Sequence, residues 1–170
     1  LQSRAEERPA RFVRVVKAVG IPDDDVFDVP GFAFGRAGVM REIIGYAPVQ
    51  PDGSVKLKVP AEVPLTVSVL DAKGRRTSAR HGHWIQVQPG ETRVCRGCHD
   101  SGSSYPHGRL RAESVSVNPG APSAGKPFPN AESGLTAKRC ETMAQTLSRH
   151  QGTPEPDPEI RYQDVWTAPD

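Results

Sequence analysis

Between residues 39 and 94 the chain is cut into short apolar runs by turn-forming residues, and this rhythm restricts the fold more than any other feature. REIIGYAPV at 41–49 is followed by QPDGS, VKLKV at 55–59, PAEVP, LTVSVL at 65–70, DAKGRR and WIQVQ at 84–88. Each run is too short for a stable helix and has the length of a strand. Val55, Leu57 and Val59 alternate with Lys56 and Lys58, the period of two that puts one face on a core and the other in water. Asp52-Gly53 and Lys73-Gly74 supply residues that accept the positive φ of tight reversals. RFVRVVKAV at 11–19 adds one more β-branched run upstream. The pattern predicts a mainly β fold, an antiparallel β-sandwich of immunoglobulin or transthyretin type over 11–94.

Composition agrees. The chain holds 17 prolines and 16 glycines in 170 residues, well above the average share of about 12% for the two together, which disfavours a helix bundle. Only 6% of residues are aromatic, so the core is modest. Residues 1–10 read as a polar tail or linker, and 20–38 as a loop broken by glycine and proline. Beyond residue 98 the chain has few apolar anchors until TAKRCETMAQTLSRH at 136–150. There Ala137, Cys140, Met143, Ala144 and Leu147 share a helical face, with Thr136 or Ser133 available as cap. A haem-binding segment over 95–150, carrying this helix, is expected to pack on the sandwich as one domain. The proline-rich tail at 151–170 is expected to dock back through Val165-Trp166, and Trp84 is expected as a core or docking residue.

The 22 basic and 20 acidic residues are interspersed, for a net charge of +2, and no run of like charge suits nucleic acid or an anionic membrane. No apolar stretch reaches the ~18 residues of a membrane helix, and the first residues lack a signal-peptide core. The chain therefore reads as mature or as cut from something longer.

The strongest chemical signal is Cys95-Arg96-Gly97-Cys98-His99. Two thiols three positions apart on one helical turn can both reach the vinyl carbons of a single haem, and the next residue turns its imidazole to the iron. The alternatives need partners that the sequence does not line up. A zinc site needs four ligands, and without a second CxxC it would have to recruit His81, His83 and Cys140. A dithiol redox pair normally follows a strand in a βαβ unit, which is missing here. One covalent haem c is therefore expected, with Cys95 and Cys98 as thioethers and His99 as proximal ligand. Cys140 is left over, with no assigned role. Haem attachment of this kind belongs outside the cytoplasm, so a periplasmic or extracellular location follows. The loop after His99 then has a purpose: it drapes a haem edge that supplies the missing apolar surface.

The sixth coordination position is open to several candidates. His107 comes first. The eight residues separating it from His99 span up to about 26 Å, enough to round the haem, and Pro106 and Gly108 pose it sharply. Met143 follows, as a thioether that would raise the reduction potential. His81 and His83 stand before a strand at the sandwich rim, and an unoccupied position is the remaining choice. Tyr105 carries no role, and Asp23-Asp24-Asp25 reads as an exposed loop.

REIIGYAPVQPDGSVKLKVPAEVPLTVSVLDAKGRR, HWIQVQPGETRVCRGCH, NPGAP with PFPN, and ETMAQT followed by DVWT occur in this order over 11–168. Together they resemble a haem-binding module of large periplasmic proteins related to the hydrazine synthase alpha subunit, where such a module often follows a β-propeller. The resemblance implies a β-sandwich with one c-type haem at Cys95, Cys98 and His99. It extends to PHGR, which favours His107. Where the hydrazine synthase haem of this kind has a tyrosine four residues past the proximal histidine, this chain has Ser103, and no propeller is present. Hydrazine chemistry is therefore not carried over.

The expected function is electron transfer by a monohaem c-type cytochrome domain, with redox proteins or other subunits of a larger complex as partners. An electron carrier is expected rather than an enzyme. The alternatives are a five-coordinate haem that binds or turns over a small molecule, and a haem serving as a structural staple in an assembly.

Overall fold

The computed structural model describes residues 9–20, 40–77, 80–95, 118, 120–128 and 134–160. Cys98, His99, His107 and Trp166 lie outside them. The described residues are mainly β. Strands β1 (Phe12–Ala18), β2 (Arg41–Pro48) and β3 (Leu65–Leu70) form one antiparallel sheet in the order β2-β1-β3. β1, which carries Val13, Val15 and Val16, takes the centre, where both edges are paired. Phe12, Val15, Ala47, Val49, Leu65 and Leu70 are all buried. Each of these side chains other than Ala47 contributes about 1.5–3 kcal/mol when withdrawn from water.

β2 carries a bulge. Val15 pairs with Gly45 but Val16 pairs with Ile43, so Ile44 is an extra residue. Gly45 sits at φ 150°, and a Cβ there would lie 2.7 Å from both the Asp157 carbonyl and Pro156 Cβ. The glycine is needed because residues 156–157 cross this point. Tyr46 and Asp157 exchange backbone hydrogen bonds of 2.8 Å, which closes the outer edge of β2.

That closure explains one departure from the sequence reading. Residues 55–59 form no ladder, although Val55, Leu57 and Val59 remain half-buried and Lys56 and Lys58 exposed. The β2 edge they would pair with is taken by Asp157, and Lys58 N instead donates to the Pro154 carbonyl at 2.8 Å. A second departure is 84–88, which makes a single bridge, Leu65 to Ile85, rather than a strand. Residues 76–77 and 80–85 lie along β3 irregularly, with Thr77 N on the Val69 carbonyl and His81 N on that of Val67. Trp84 is also not a core residue, being 38% exposed. Among the described residues the ladders make this one sheet.

Helix α1 spans Met143–Gln151, where the sequence periodicity indicated 136–150. Cys140 stands at φ 62°, which no right-handed helix tolerates. The Cys140 amide donates to the Ala121 carbonyl, and the Ala121 amide to that of Glu141, both at 2.8 Å. The helix therefore starts only at the Thr142 cap. Gln145 N donates to Thr142 Oγ1 at 3.3 Å, and Thr142 N to Gln145 Oε1 at 2.9 Å, a reciprocal capping box. Gly152 ends it.

Candidate functional site

The described part of the CxxCH motif is Cys95. The segment leading to it leaves the sheet at Val87, which is buried and whose carbonyl accepts from Glu62 N at 2.8 Å. A turn follows in which Gly90 adopts φ 76°. The Glu91 carboxylate accepts from Gln88 N at 2.8 Å and pairs with Arg93 at 2.9 Å. The Gln88 amide first, and Arg93 second, hold the Glu91 carboxyl below its ordinary range. The chain is thus steered up to residue 93 and then released: Val94 is 62% exposed, and Cys95 is exposed and free of any disulfide. An apolar side chain and an accessible thiol thus stand side by side in solvent at the start of the motif. Cys98, His99 and His107 lie outside the described residues.

Met143 opens α1 and is buried in an apolar cluster with Leu135, flanked by Phe128 and Leu147. Cys140 is exposed on the turn before the helix. The rings of His81 and His83 lie 6.2 Å apart, edge to face. His81 Nδ1–H donates to the His83 carbonyl at 2.7 Å. Among the described residues no three potential metal ligands come together, so the zinc alternative built on His81, His83 and Cys140 finds no site there. No helix among the described residues is long and apolar enough to cross a membrane.

What the sequence reading missed is a polar knot that joins three distant segments. The turn containing Asp52 was expected, but the destination of its carboxylate was not. Asp52 Oδ1 accepts from Ser54 N at 3.0 Å and from Ser54 Oγ at 2.5 Å. Its Oδ2 accepts from Asn118 Nδ2 at 2.7 Å and from Met143 N at 2.9 Å. Ser54 Oγ in turn accepts from Ala144 N at 3.0 Å, and Asn118 Oδ1 from Gly120 N at 3.0 Å. Two of the free amides that begin any helix are thus satisfied from a turn about 90 residues earlier. The negative carboxylate also faces the positive end of the helix dipole. A Cβ on Gly120 would collide with the Cys140 carbonyl, so a side chain cannot replace that glycine without moving the turn.

A second, partly exposed link ties the start of the helix to its last turn. Arg149 pairs with Glu141 through Nε and Nη2, at 2.9 and 2.8 Å, and also reaches the Thr136 carbonyl at 2.6 Å. Lys138 N and Thr146 Oγ1 complete the carboxylate's shell. The Arg149 guanidinium, with help from these donors and against the effect of burial, pulls the Glu141 carboxyl down to about 2. The one signal that could have located the knot is the trio of phrases PDGS, NPGAP and ETMAQT quoted for the resemblance: Asp52, Ser54 and Asn118 meet the Met143 and Ala144 amides here.

Residues 10–100 match the family described as the hydrazine synthase alpha subunit middle domain. Hydrazine synthase subunit alpha of Kuenenia stuttgartiensis is 37% identical over 65 residues, which are 38% of this chain and 8% of that protein. The chain therefore corresponds to a small part of that relative's length. No solved structure was found to match the chain.

Proposed function

Since the chain belongs to the family of the hydrazine synthase alpha subunit middle domain, we propose that it is a haem c module serving electron transfer inside a larger assembly outside the cytoplasm. The observation that carries this reading is the position of the CxxCH motif. It begins where the steered segment after Val87 ends, with the first thiol exposed and unpaired. In this reading Cys95 and Cys98 would hold the haem through thioether links, and His99 and His107 would ligate its iron. Bound haem supplies one-electron exchange between ferric and ferrous iron, at a potential that axial ligation and burial set.

The chain's own residues supply position and exclusion of water. The turn held by Glu91 and Arg93 fixes the chain just ahead of Cys95. The apolar cluster around Met143 supports His107 over Met143 as distal ligand, because freeing the thioether would open a core of few large side chains. The three-stranded sheet is proposed to be one layer of a sandwich. Partners are proposed to be neighbouring domains or subunits, since the relative is a subunit of a synthase and most of its length lies beyond the match.

The test uses protein matured in a host that attaches haem c. Absorption and magnetic circular dichroism should show low-spin, six-coordinate iron that is reduced and reoxidised reversibly. His107→Ala should convert it to a high-spin form that takes up CO, while Met143→Leu should leave the spectrum unchanged. High-spin, CO-binding iron in the unaltered protein would favour a small-molecule haem enzyme instead.

A further inference from the structure

At the end of the sheet where Arg41 begins β2 and Thr66 lies near the start of β3, these residues and the returning residues 76 and 80–84 bound a half-open concavity of about 200 Å³, lined by Arg41, Thr66, Arg76, Arg80, His81 and His83, with Trp84 at its wall. Its charge is of one sign. Among the described residues no carboxylate lies in the lining, and none pairs with Arg41, Arg76 or Arg80. By contrast, the neighbouring Arg75 is neutralised by Asp71 at 2.9 Å. Burial first, and then Arg41, Arg76 and Arg14, press the half-buried Arg80 guanidinium below its ordinary value, with no acid acting on it. Arg14, on β1, has a buried Nε without a hydrogen-bond partner.

The concavity is also held in shape. Thr66 Oγ1 donates to the His81 carbonyl at 2.8 Å, and the His81 Nδ1–H to that of His83. The Arg41 guanidinium lies over Trp84, 5.6 Å from the ring centre, an arrangement that orients a cation without neutralising it. Four guanidiniums gathered without acids raise the free energy of the empty protein through mutual repulsion. An anion would remove that cost, and arginine's fork of donors suits tetrahedral or planar oxyanions. The volume decides the size of the guest: it is below the roughly 300–1,000 Å³ of pockets that take drug-sized molecules, and ample for an inorganic oxyanion.

We propose that the concavity bounded by Arg41, Arg76, Arg80, His81 and His83 is a binding site for a small inorganic oxyanion of the phosphate or sulfate class. The site is separate from the CxxCH motif and does not depend on haem being bound. Repulsion within the cluster gives the proposal a signature with two opposite signs. Arg80→Gln should leave thermal stability in chloride unchanged or raised, because it relieves repulsion, yet abolish the extra stabilisation that phosphate gives the unaltered protein.

The experiment titrates phosphate and sulfate into the full chain by calorimetry and thermal unfolding, against chloride at matched ionic strength. Expected are saturable heats, a midpoint that rises with phosphate, and binding weakened tenfold or more in Arg80→Gln and in the exposed-position variant Arg76→Gln. Arg139→Gln, which removes an equal charge elsewhere, should bind as the unaltered chain does. Absence of any saturable heat beyond chloride, or equal weakening in Arg139→Gln, would overturn the proposal.

Discussion

Asp52 serves two structures at once. Its backbone lies in the turn after β2, and its carboxylate receives four donors, among them the first amide of α1. Removing it takes the acceptor from the Met143 amide and one of the two Asp52 oxygens that Asn118 Nδ2 meets, the backbone carbonyl at 3.1 Å remaining. Asp52→Ala should therefore cost about 2 kcal/mol, a sum in the range of a lost cap and of hydrogen bonds to a charged acceptor. Urea unfolding would measure it, and Asp52→Asn, which keeps one oxygen acceptor, should cost less. Ala18, at a strand end, is not tied into any such network, and Ala18→Ser should change stability by less than about 0.5 kcal/mol.

At the scale of elements, α1 is held by its two ends, and the Glu141–Arg149 pair is the titratable part of that attachment. The Glu141 carboxyl is lowered from 4.5 to about 2 in the folded chain. An acid with a depressed folded value contributes stability that is complete above its unfolded value. That contribution is lost as pH falls from about 4.5 towards 2. Arg149 is about a third exposed (32%), so screening reduces the effect to about 1–2 kcal/mol. Glu141→Gln should flatten the fall in urea midpoint between pH 5 and pH 2.5 by about that amount, and leave the slope above pH 5 unchanged. The tail offers a second element-level prediction. Gly45→Ala would drive a methyl group into the Asp157 carbonyl, so it should lift residues 154–157 off β2. Faster hydrogen exchange at the Tyr46 amide, which donates to Asp157, would report it.

At the scale of the whole molecule, the parts legible in the sequence were those governed by local pattern. β1, β2 and β3 were readable because β-branched residues recur between strong turn formers, and the Asp52-Gly53 reversal because its chemistry is local. What escaped was decided by partners far along the chain. Residues 55–59 alternate as a strand should, yet residue 157 occupies the edge they would need. Cys140 fits a helical face by spacing, yet contact with Gly120 and Ala121 puts it in a left-handed turn. Trp84 has the composition of a core residue, but a guanidinium covers it in place of a core. For the candidate site, Cys95 was placed by motif alone, and the sheet shows how it is presented: a fixed turn, then an exposed valine and an exposed thiol. His99 and His107 rest on spacing and on the family resemblance.

The central claim, a haem held through two thioethers, has a direct test in the intact mass of the denatured chain. The protein should be produced beside haem c maturation enzymes and stripped of non-covalent ligands. The account predicts the chain mass plus one haem, with Cys95→Ser together with Cys98→Ser returning the bare chain. Bare chain mass for the unaltered protein, from a host that loads a control cytochrome c in the same preparation, would contradict it.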